Sequence, residues 1–303
     1  MSADPAPTRG AGRFAPSPTG PLHFGSLLAA VASYLEARVG GERWLLRIED
    51  IDPPREEAGA AEAIIRCLEI YGFRWDGPVL RQSRNEERHR AALERLLADG
   101  LAYPCRCTRR VLARTARQGA MGPVYPGTCR DGSGRGARAI RVRTTDEPVA
   151  VVDRLQGPIE QRLESELGDF VIRRRDGLIA YQLAVVIDDA VDGVTDVVRG
   201  IDLLDSTPRQ IHLQRLLGLP TPSYMHIPVA VGADGEKLSK QTAAPPIDLD
   251  PEAVAPTLCR ALACLRQEPP ADLAGASPGA VWEWALANWR PGRLRSLASV
   301  PGV

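Results

Sequence analysis

Lysine is almost missing from this sequence: of 38 lysines and arginines, only Lys237 and Lys240 are lysine. Aromatic residues make up just 5% of the chain and the formal net charge is zero. No apolar run approaches the ~20 residues that a membrane-spanning helix requires. The opening stretch, Met1 to Gly12, is a Pro/Ala/Gly tail without the hydrophobic centre of a secretory signal. These absences exclude a uniformly basic nucleic-acid binder and a helical membrane protein, and they set the expectation of a cytoplasmic protein. Six cysteines at irregular spacing do not read as a disulfide framework in such a chain, which leaves metal binding or burial.

The two lysines stand in Lys237-Leu238-Ser239-Lys240-Gln241, just after a Gly232-Ala233-Asp234-Gly235 turn. In a chain that writes its other cations as arginine, ammonium groups mark a place where a compact, flexible point charge differs from a planar fork. Phosphate chemistry is one such place; chance clustering of two surface residues is the alternative.

The stretch Arg13 to Leu27 passes through small and proline residues directly into Leu27 to Val39, where apolar positions recur at helical spacing. His23 and Gly25 therefore fall at a loop-to-helix junction. Unpaired N–H groups and the helix dipole make such a junction a cradle for phosphate, and an imidazole adds a further donor. An ordinary strand-turn-helix is the alternative.

Trp44 to Ile48 reads as a strand ending at Glu49, so strand, helix and strand form a right-handed parallel crossover of a doubly wound α/β fold. Helices are expected from Pro53-Pro54 to about Tyr71 and from Asn85 to Asp99, the latter closed by Gly100. Strands are expected between Arg138 and Asp153 and from Phe170. Tyr181 to Asp189 is an apolar run ending in two aspartates, and Val194 to Val198 is a strand that presents Arg199. Ser206-Thr207-Pro208 is placed to cap a helix over Arg209 to Leu217. Glu49 and Arg199 at neighbouring strand ends suit the two ends of a zwitterion, or a structural ion pair. The 62 residues after Gln241 read as a proline-rich passage and two or so helices, including Val281 to Trp289.

Between Cys105 and Arg143 the chain carries ten arginines and one acidic residue, Asp131. This is a local positive patch suited to RNA or another polyanion, with a solvated arginine-rich face as the alternative. The same segment holds Cys105-Arg106-Cys107, then Tyr125 and Cys129. Three thiolates are one short of a closed tetrahedral zinc site, and Tyr125 is available as the fourth ligand; free buried cysteines are the alternative. Cys67, Cys259 and Cys264 lie in apolar helical contexts and read as core residues.

Ala15-Pro16-Ser17-Pro18-Thr19-Gly20 with Leu22-His23-Phe24-Gly25, then Arg47-Ile48-Glu49-Asp50, Arg199-Gly200-Ile201-Asp202-Leu203-Leu204 and Lys237-Leu238-Ser239-Lys240 resemble, in order, the catalytic half of class I glutamyl-tRNA synthetases. The chain stops where those enzymes continue into an anticodon-binding domain. With its Cys-x-Cys, Tyr-x-x-x-Cys insert it is similar to the glutamyl-queuosine tRNA(Asp) synthetase family.

That resemblance implies an α/β class I synthetase fold: a Rossmann-like parallel sheet with a zinc-containing insert and a short helical C-terminal region. The divisions would be a tail (1–12), a first catalytic half (13–104), a basic zinc insert (105–143), a second half (144–241) and the C-terminal region (242–303). It implies a glutamate pocket of Arg13, Ala15, Ser17, Glu49, Tyr181 and Arg199. ATP would lie against Pro16, His23, Gly25, Ser26 and Lys240, with His23, Lys237 and Lys240 catalytic and Mg2+ accompanying the nucleotide. One structural zinc would sit on Cys105, Cys107, Tyr125 and Cys129. The implied reaction is activation of L-glutamate by ATP and its transfer to queuosine in tRNA(Asp), with no obligate protein partner. Charging of the 3′ end of tRNA(Glu) by a minimal synthetase, or a non-catalytic RNA-binding role, are the alternatives. Two positions depart from the family pattern. Ser26 replaces the last histidine of His-x-Gly-His, and Val185 stands where related enzymes carry an amide, which predicts weaker glutamate binding.

Overall fold

The computed structural model describes residues 10–132, 134, 136–232 and 245–302. Strand β1 (Ala11–Phe14) feeds helix α1 (Phe24–Val39), and β2 (Arg43–Ile48) returns parallel to β1. Helix α2 (Ala60–Ile70), β3 (Leu80–Arg81) and α3 (Glu86–Ala98) follow. Next come β4 (Ala102–Cys105), α4 (Arg109–Thr115), the small hairpin of β5 (Gln118–Gly119) and β6 (Gly122–Pro123), and β7 (Ala139–Val142). A hairpin of β8 (Pro148–Asp153) and β9 (Gly157–Arg162), the single-turn α5 (Leu163–Glu166) and β10 (Val171–Arg173) lead back to the body. There α6 (Tyr181–Asp192), β11 (Asp196–Gly200), α7 (Thr207–Leu217), β12 (Ser223–Ile227) and β13 (Val229–Val231) are followed by α8 (Pro251–Cys264), α9 (Pro278–Asn288) and β14 (Ser299–Pro301).

The main sheet has five parallel strands in the order β12-β11-β1-β2-β3. Its strands are apolar on both faces because helices cover both. Along β2, Trp44, Leu46 and Ile48 enter one core with α1, α2, α8 and α9, whereas Leu45 enters the other with α3, α6 and α7. This is the expected doubly wound architecture. The few aromatic residues are concentrated: Tyr34 meets Trp44, Phe73 and Trp282 edge-on, with ring centroids 5.0, 5.4 and 4.9 Å away. Trp282 belongs to α9, so the C-terminal helices complete the first core. Among the described residues no helix is long and apolar enough to cross a membrane.

Three local expectations change, and one unassigned apolar run acquires a secondary structure. The chain enters β1 at Ala11, inside the expected tail. The helix expected from Pro53 is broken: a 3-10 turn over Pro53–Arg55 gives way to extended Glu56, and Gly59, at φ +78°, takes the left-handed conformation from which α2 starts. The apolar run from Tyr181 is helix α6, an ambiguity inherent in short apolar runs. Ser206 is not a side-chain cap for α7; its own backbone is helical and its hydroxyl accepts from Gln182 Nε2 at 3.0 Å.

Candidate active site and cysteine cluster

The carboxyl ends of β1, β2 and β11 converge on a cleft of about 890 Å³. Arg13, Ala15, Pro16, Ser17, His23, Gly25, Ser26, Glu49, Tyr181 and Arg199 all line it. Crossover topology thus gathers residues from four distant stretches at the place where open parallel sheets bind ligands. Lys237 and Lys240 lie outside the described residues. The chain on either side of that segment borders the cleft: Ala230 lines it, and Pro246 forms a bridge to His23.

Helix α1 begins at Phe24, a turn earlier than its apolar periodicity suggests, because His23 caps it. The imidazole Nδ1 accepts from the Ser26 backbone N–H at 3.3 Å, and Nε2 lies 3.0 Å from the Ser26 hydroxyl. The serine that departs from the family pattern is therefore in contact with the retained histidine.

Opposite charges are packed beneath the cleft. Arg13 Nε donates to Asp189 Oδ1 at 3.2 Å, and Arg47 reaches Asp189 and Asp192 at 2.6 and 2.7 Å. Burial opposes ionisation of Asp189, but Arg13 and Arg47 outweigh it and hold the carboxyl below its usual range. Burial likewise works against the Arg47 charge, and Asp189 with Glu49 and their neighbours outweighs it, so Arg47 stays cationic. Glu49 differs. It is buried, stands 3.6 Å from Arg47, and its Oε1 has no hydrogen-bond partner among the described residues. Desolvation pushes its pKa up to about 7 against the pull of Arg47 and Arg13. A buried, partly neutralised carboxyl with an unfilled acceptor position is suited to an incoming cation.

Arg199 closes the other side, with Nη1 3.5 Å from the Tyr181 hydroxyl and Nη2 3.0 Å from Thr207 Oγ1. Burial raises the Tyr181 pKa, opposed by Arg199, so the phenol keeps its proton and remains a donor. Sequence reasoning missed the residues that hold these groups, namely Asp189, Asp192, Thr207, His226 and Asp153. The two aspartates closing the Tyr181 run were the only visible signal. Asp188 proves equally structural, accepting from Gln82, Asn85 and His89 at 2.7, 2.8 and 2.8 Å.

Val185 does not line the cleft. It is 1% exposed and packed in the second core with Leu45 and Leu93. On helix α6 it sits one turn from Tyr181, and its valine side chain packs into the core.

The insert brings Cys105, Cys107 and Cys129 together, their sulfurs all within 4.8 Å of one another. Cys107 and Cys129 are 3.7 Å apart, close to the ~3.8 Å edge of a tetrahedron with zinc–thiolate bonds of about 2.3 Å. Tyr125 Oη lies 3.4 Å from Cys105 Sγ and accepts from the Cys129 backbone N–H at 3.0 Å. The cluster can hold a metal ion. Asp169 ties it to the body, accepting both Nε and Nη2 of neighbouring Arg130 at 2.6 Å. The positive patch is correspondingly smaller than its arginine count. Arg130 is ion-paired, Arg141 is buried with its guanidinium 3.9 Å over the Tyr125 ring, and Arg143 donates to main-chain carbonyls. Arg106, Arg109, Arg110, Arg114, Arg117 and Arg138 remain exposed. A second cleft of about 860 Å³ adjoins the first, sharing Ser17, Glu49 and Tyr181 and reaching Cys107 and Arg109.

Fold and site together define a class I aminoacyl-tRNA synthetase core. The family model for class I tRNA synthetases (E and Q), catalytic domain, matches residues 11–249. A glutamate tRNA ligase from Elizabethkingia meningosepticum superposes with a TM-score of 0.76 over 96% of this chain and 66% of its own, at 23% identity, which establishes the shared fold. The curated relatives are narrower in kind. Glutamyl-Q tRNA(Asp) synthetase of Ectopseudomonas mendocina is 55% identical over 95% of this chain and 96% of its own. The Chromobacterium violaceum protein of the same name is 56% identical over 96% and 95%, respectively. The chain belongs to the glutamyl-Q tRNA(Asp) synthetase family.

Proposed function

We propose that this protein activates L-glutamate with ATP as glutamyl-adenylate and transfers the glutamate to queuosine at the wobble position of tRNA(Asp). The observation that carries this is the single cleft in which two arginines, a buried carboxyl and a helix N-terminus face one space. Glu49 accepts from the substrate ammonium, Arg13 and Arg199 donate to its carboxylates, and Tyr181 adds its hydroxyl. Ala15 and Ser17 complete the glutamate pocket. ATP lies along Pro16, His23, Gly25 and Ser26, where helix dipole and imidazole oppose phosphate charge, with Lys237 and Lys240 drawn from the adjoining segment. A glutamate carboxylate oxygen bonds to the α-phosphorus as the bond to pyrophosphate breaks. A hydroxyl of the modified base then attacks the acyl carbon, AMP leaves, and the hydroxyl proton is released.

Mg2+ accompanies ATP as substrate. Cys105, Cys107, Tyr125 and Cys129 hold one zinc, which supplies structural cross-linking of the insert. The exposed arginines of that insert bind the phosphates of the anticodon stem-loop, and the second cleft leads from them to Glu49. The protein acts in the cytoplasm without an obligate protein partner.

The test is transfer of isotopic glutamate, with ATP, to bulk tRNA with and without queuosine. Label on the first alone is expected. Equal label on both would assign the chain to 3′-end charging, and no glutamate-dependent pyrophosphate exchange would return it to non-catalytic RNA binding.

A further inference from the structure

His226 on β12 is fully buried and stands behind Arg199, outside the cleft lining. Its Nδ1 lies 2.7 Å from Asp153 Oδ2, and its Nε2 lies 3.0 Å from Arg199 Nε. Asp153, at the end of β8, also accepts from the backbone N–H groups of His226, Leu155 and Gln156 at 3.1, 3.0 and 2.9 Å. Burial opposes its charge, but these donors and the imidazole outweigh it and keep the carboxyl ionised.

Two neighbours therefore dictate one tautomer. An ionised Asp153 only accepts, so the proton between it and the ring sits on Nδ1. A guanidinium Nε only donates, so Nε2 must offer its lone pair. A doubly protonated ring would set two N–H donors face to face across 3.0 Å. Among the described residues, the other groups around the ring do not supply a competing proton acceptor of comparable strength. Thr207 Oγ1 is 3.3 Å from Nε2 and already accepts from Arg199, the Tyr224 ring stacks with its centroid 6.1 Å away, and Arg13 acts from β1 as a further positive charge.

We infer that His226, fixed by Asp153 as the neutral Nδ1–H imidazole, is a positioning residue that grips Arg199 by Nε and so aims its outer edge at the substrate carboxylate. The same device serves Arg13, which Asp189 also holds by Nε. For Arg13 the anchor is a charge; for Arg199 it is a neutral acceptor, which orients the guanidinium without neutralising it. The inference rests on the proposed role of Arg199 in binding glutamate.

Ring nitrogen NMR on the intact protein, with the His226 signals assigned by their loss in His226→Gln, tests the tautomer directly. A neutral ring protonated at Nδ1 is expected near neutral pH; an Nε2–H tautomer or an imidazolium there overturns the inference. Glutamate-dependent pyrophosphate exchange tests the consequence. His226→Met removes the acceptor and should raise the KM for glutamate about tenfold or more with kcat within about threefold, as expected for a lost hydrogen bond to a charged group. His226→Gln, which restores an acceptor that cannot ionise, should return KM to within about threefold of wild type. An unchanged KM in His226→Met alongside a raised KM in Arg199→Lys refutes the positioning role. An unchanged KM in both refutes instead the glutamate-binding role of Arg199, and with it the aim inferred for His226, while the ring spectrum still judges the Asp153–His226–Arg199 relay.

Discussion

Replacing Glu49 by glutamine should make the free protein more stable and a worse enzyme, and both effects should track the same ionisation. In the folded chain the Glu49 carboxyl keeps its proton up to about pH 7, against an ordinary value of 4.5, because desolvation outweighs the attraction of Arg47 and Arg13. Between those two values the folded state binds more protons than the unfolded one, so its stability falls as pH rises through this window. The shift corresponds to about 3 kcal/mol of destabilisation, fully expressed above pH ~7 and absent below pH ~4.5. Glutamine carries no such cost, and Arg47 still has Asp189 and Asp192 as partners. Denaturant unfolding near pH 8 should therefore find Glu49→Gln more stable by up to about 3 kcal/mol, with the advantage shrinking towards pH ~5. In pyrophosphate exchange, wild-type kcat/KM for glutamate should fall about tenfold per pH unit below an apparent pKa near 7 as the ammonium partner is neutralised. The variant should lose that acid limb and roughly 10- to 100-fold in kcat/KM at higher pH. A Glu49→Gln protein that is less stable than wild type near pH 8, or whose advantage does not depend on pH, would refute the argument.

Further outcomes follow from other parts of the molecule. Cys107→Ser should lose bound zinc and lower the melting temperature, whereas pyrophosphate exchange, which needs no contact with the insert, should fall much less; metal analysis beside calorimetry checks both. Reversing Arg106, Arg109 and Arg110 to glutamate should weaken tRNA binding and flatten its dependence on salt, because fewer counterions are released, while Arg130→Glu should instead unfold the insert by breaking its pair with Asp169. A flat salt response in wild type would remove the insert from the binding surface. Val185→Asn should cost about 1–3 kcal/mol of stability by burying an amide in the second core, and leave the KM for glutamate unchanged.

What the sequence made legible was the set of groups that face the cleft. They occur in short motifs at the ends of strands, and a parallel crossover fold brings strand ends together whatever the details of packing. The cysteine cluster was legible for a similar reason, since Cys105 and Cys107 are neighbours and Tyr125 and Cys129 lie one helical turn apart in number. What was not legible was how those groups are held. Arg13 and Asp189 are 176 residues apart, Arg47 and Asp192 are 145 apart, and Asp153 and His226 are 73 apart. No local pattern links such pairs, because each exists only once a strand of one crossover lies beside a helix or hairpin of another. The arginine-rich insert shows the same limit from the other side: counting its charges overstated the patch, because Asp169 and Glu164, well beyond the insert in sequence, neutralise Arg130. The Val185 expectation came from comparing residue types with related enzymes, and such a comparison does not say whether a position lines the cleft or, as here, packs in the second core. The distinction is physical. A group that meets a ligand is chosen for its chemistry and is visible as a residue type, whereas a group that orients it is chosen for its position. In this site Asp189 and His226 hold Arg13 and Arg199 by Nε, with Thr207 on Nη2 of Arg199, and such anchoring is the difference between a charge near a carboxylate and a fork aimed at one.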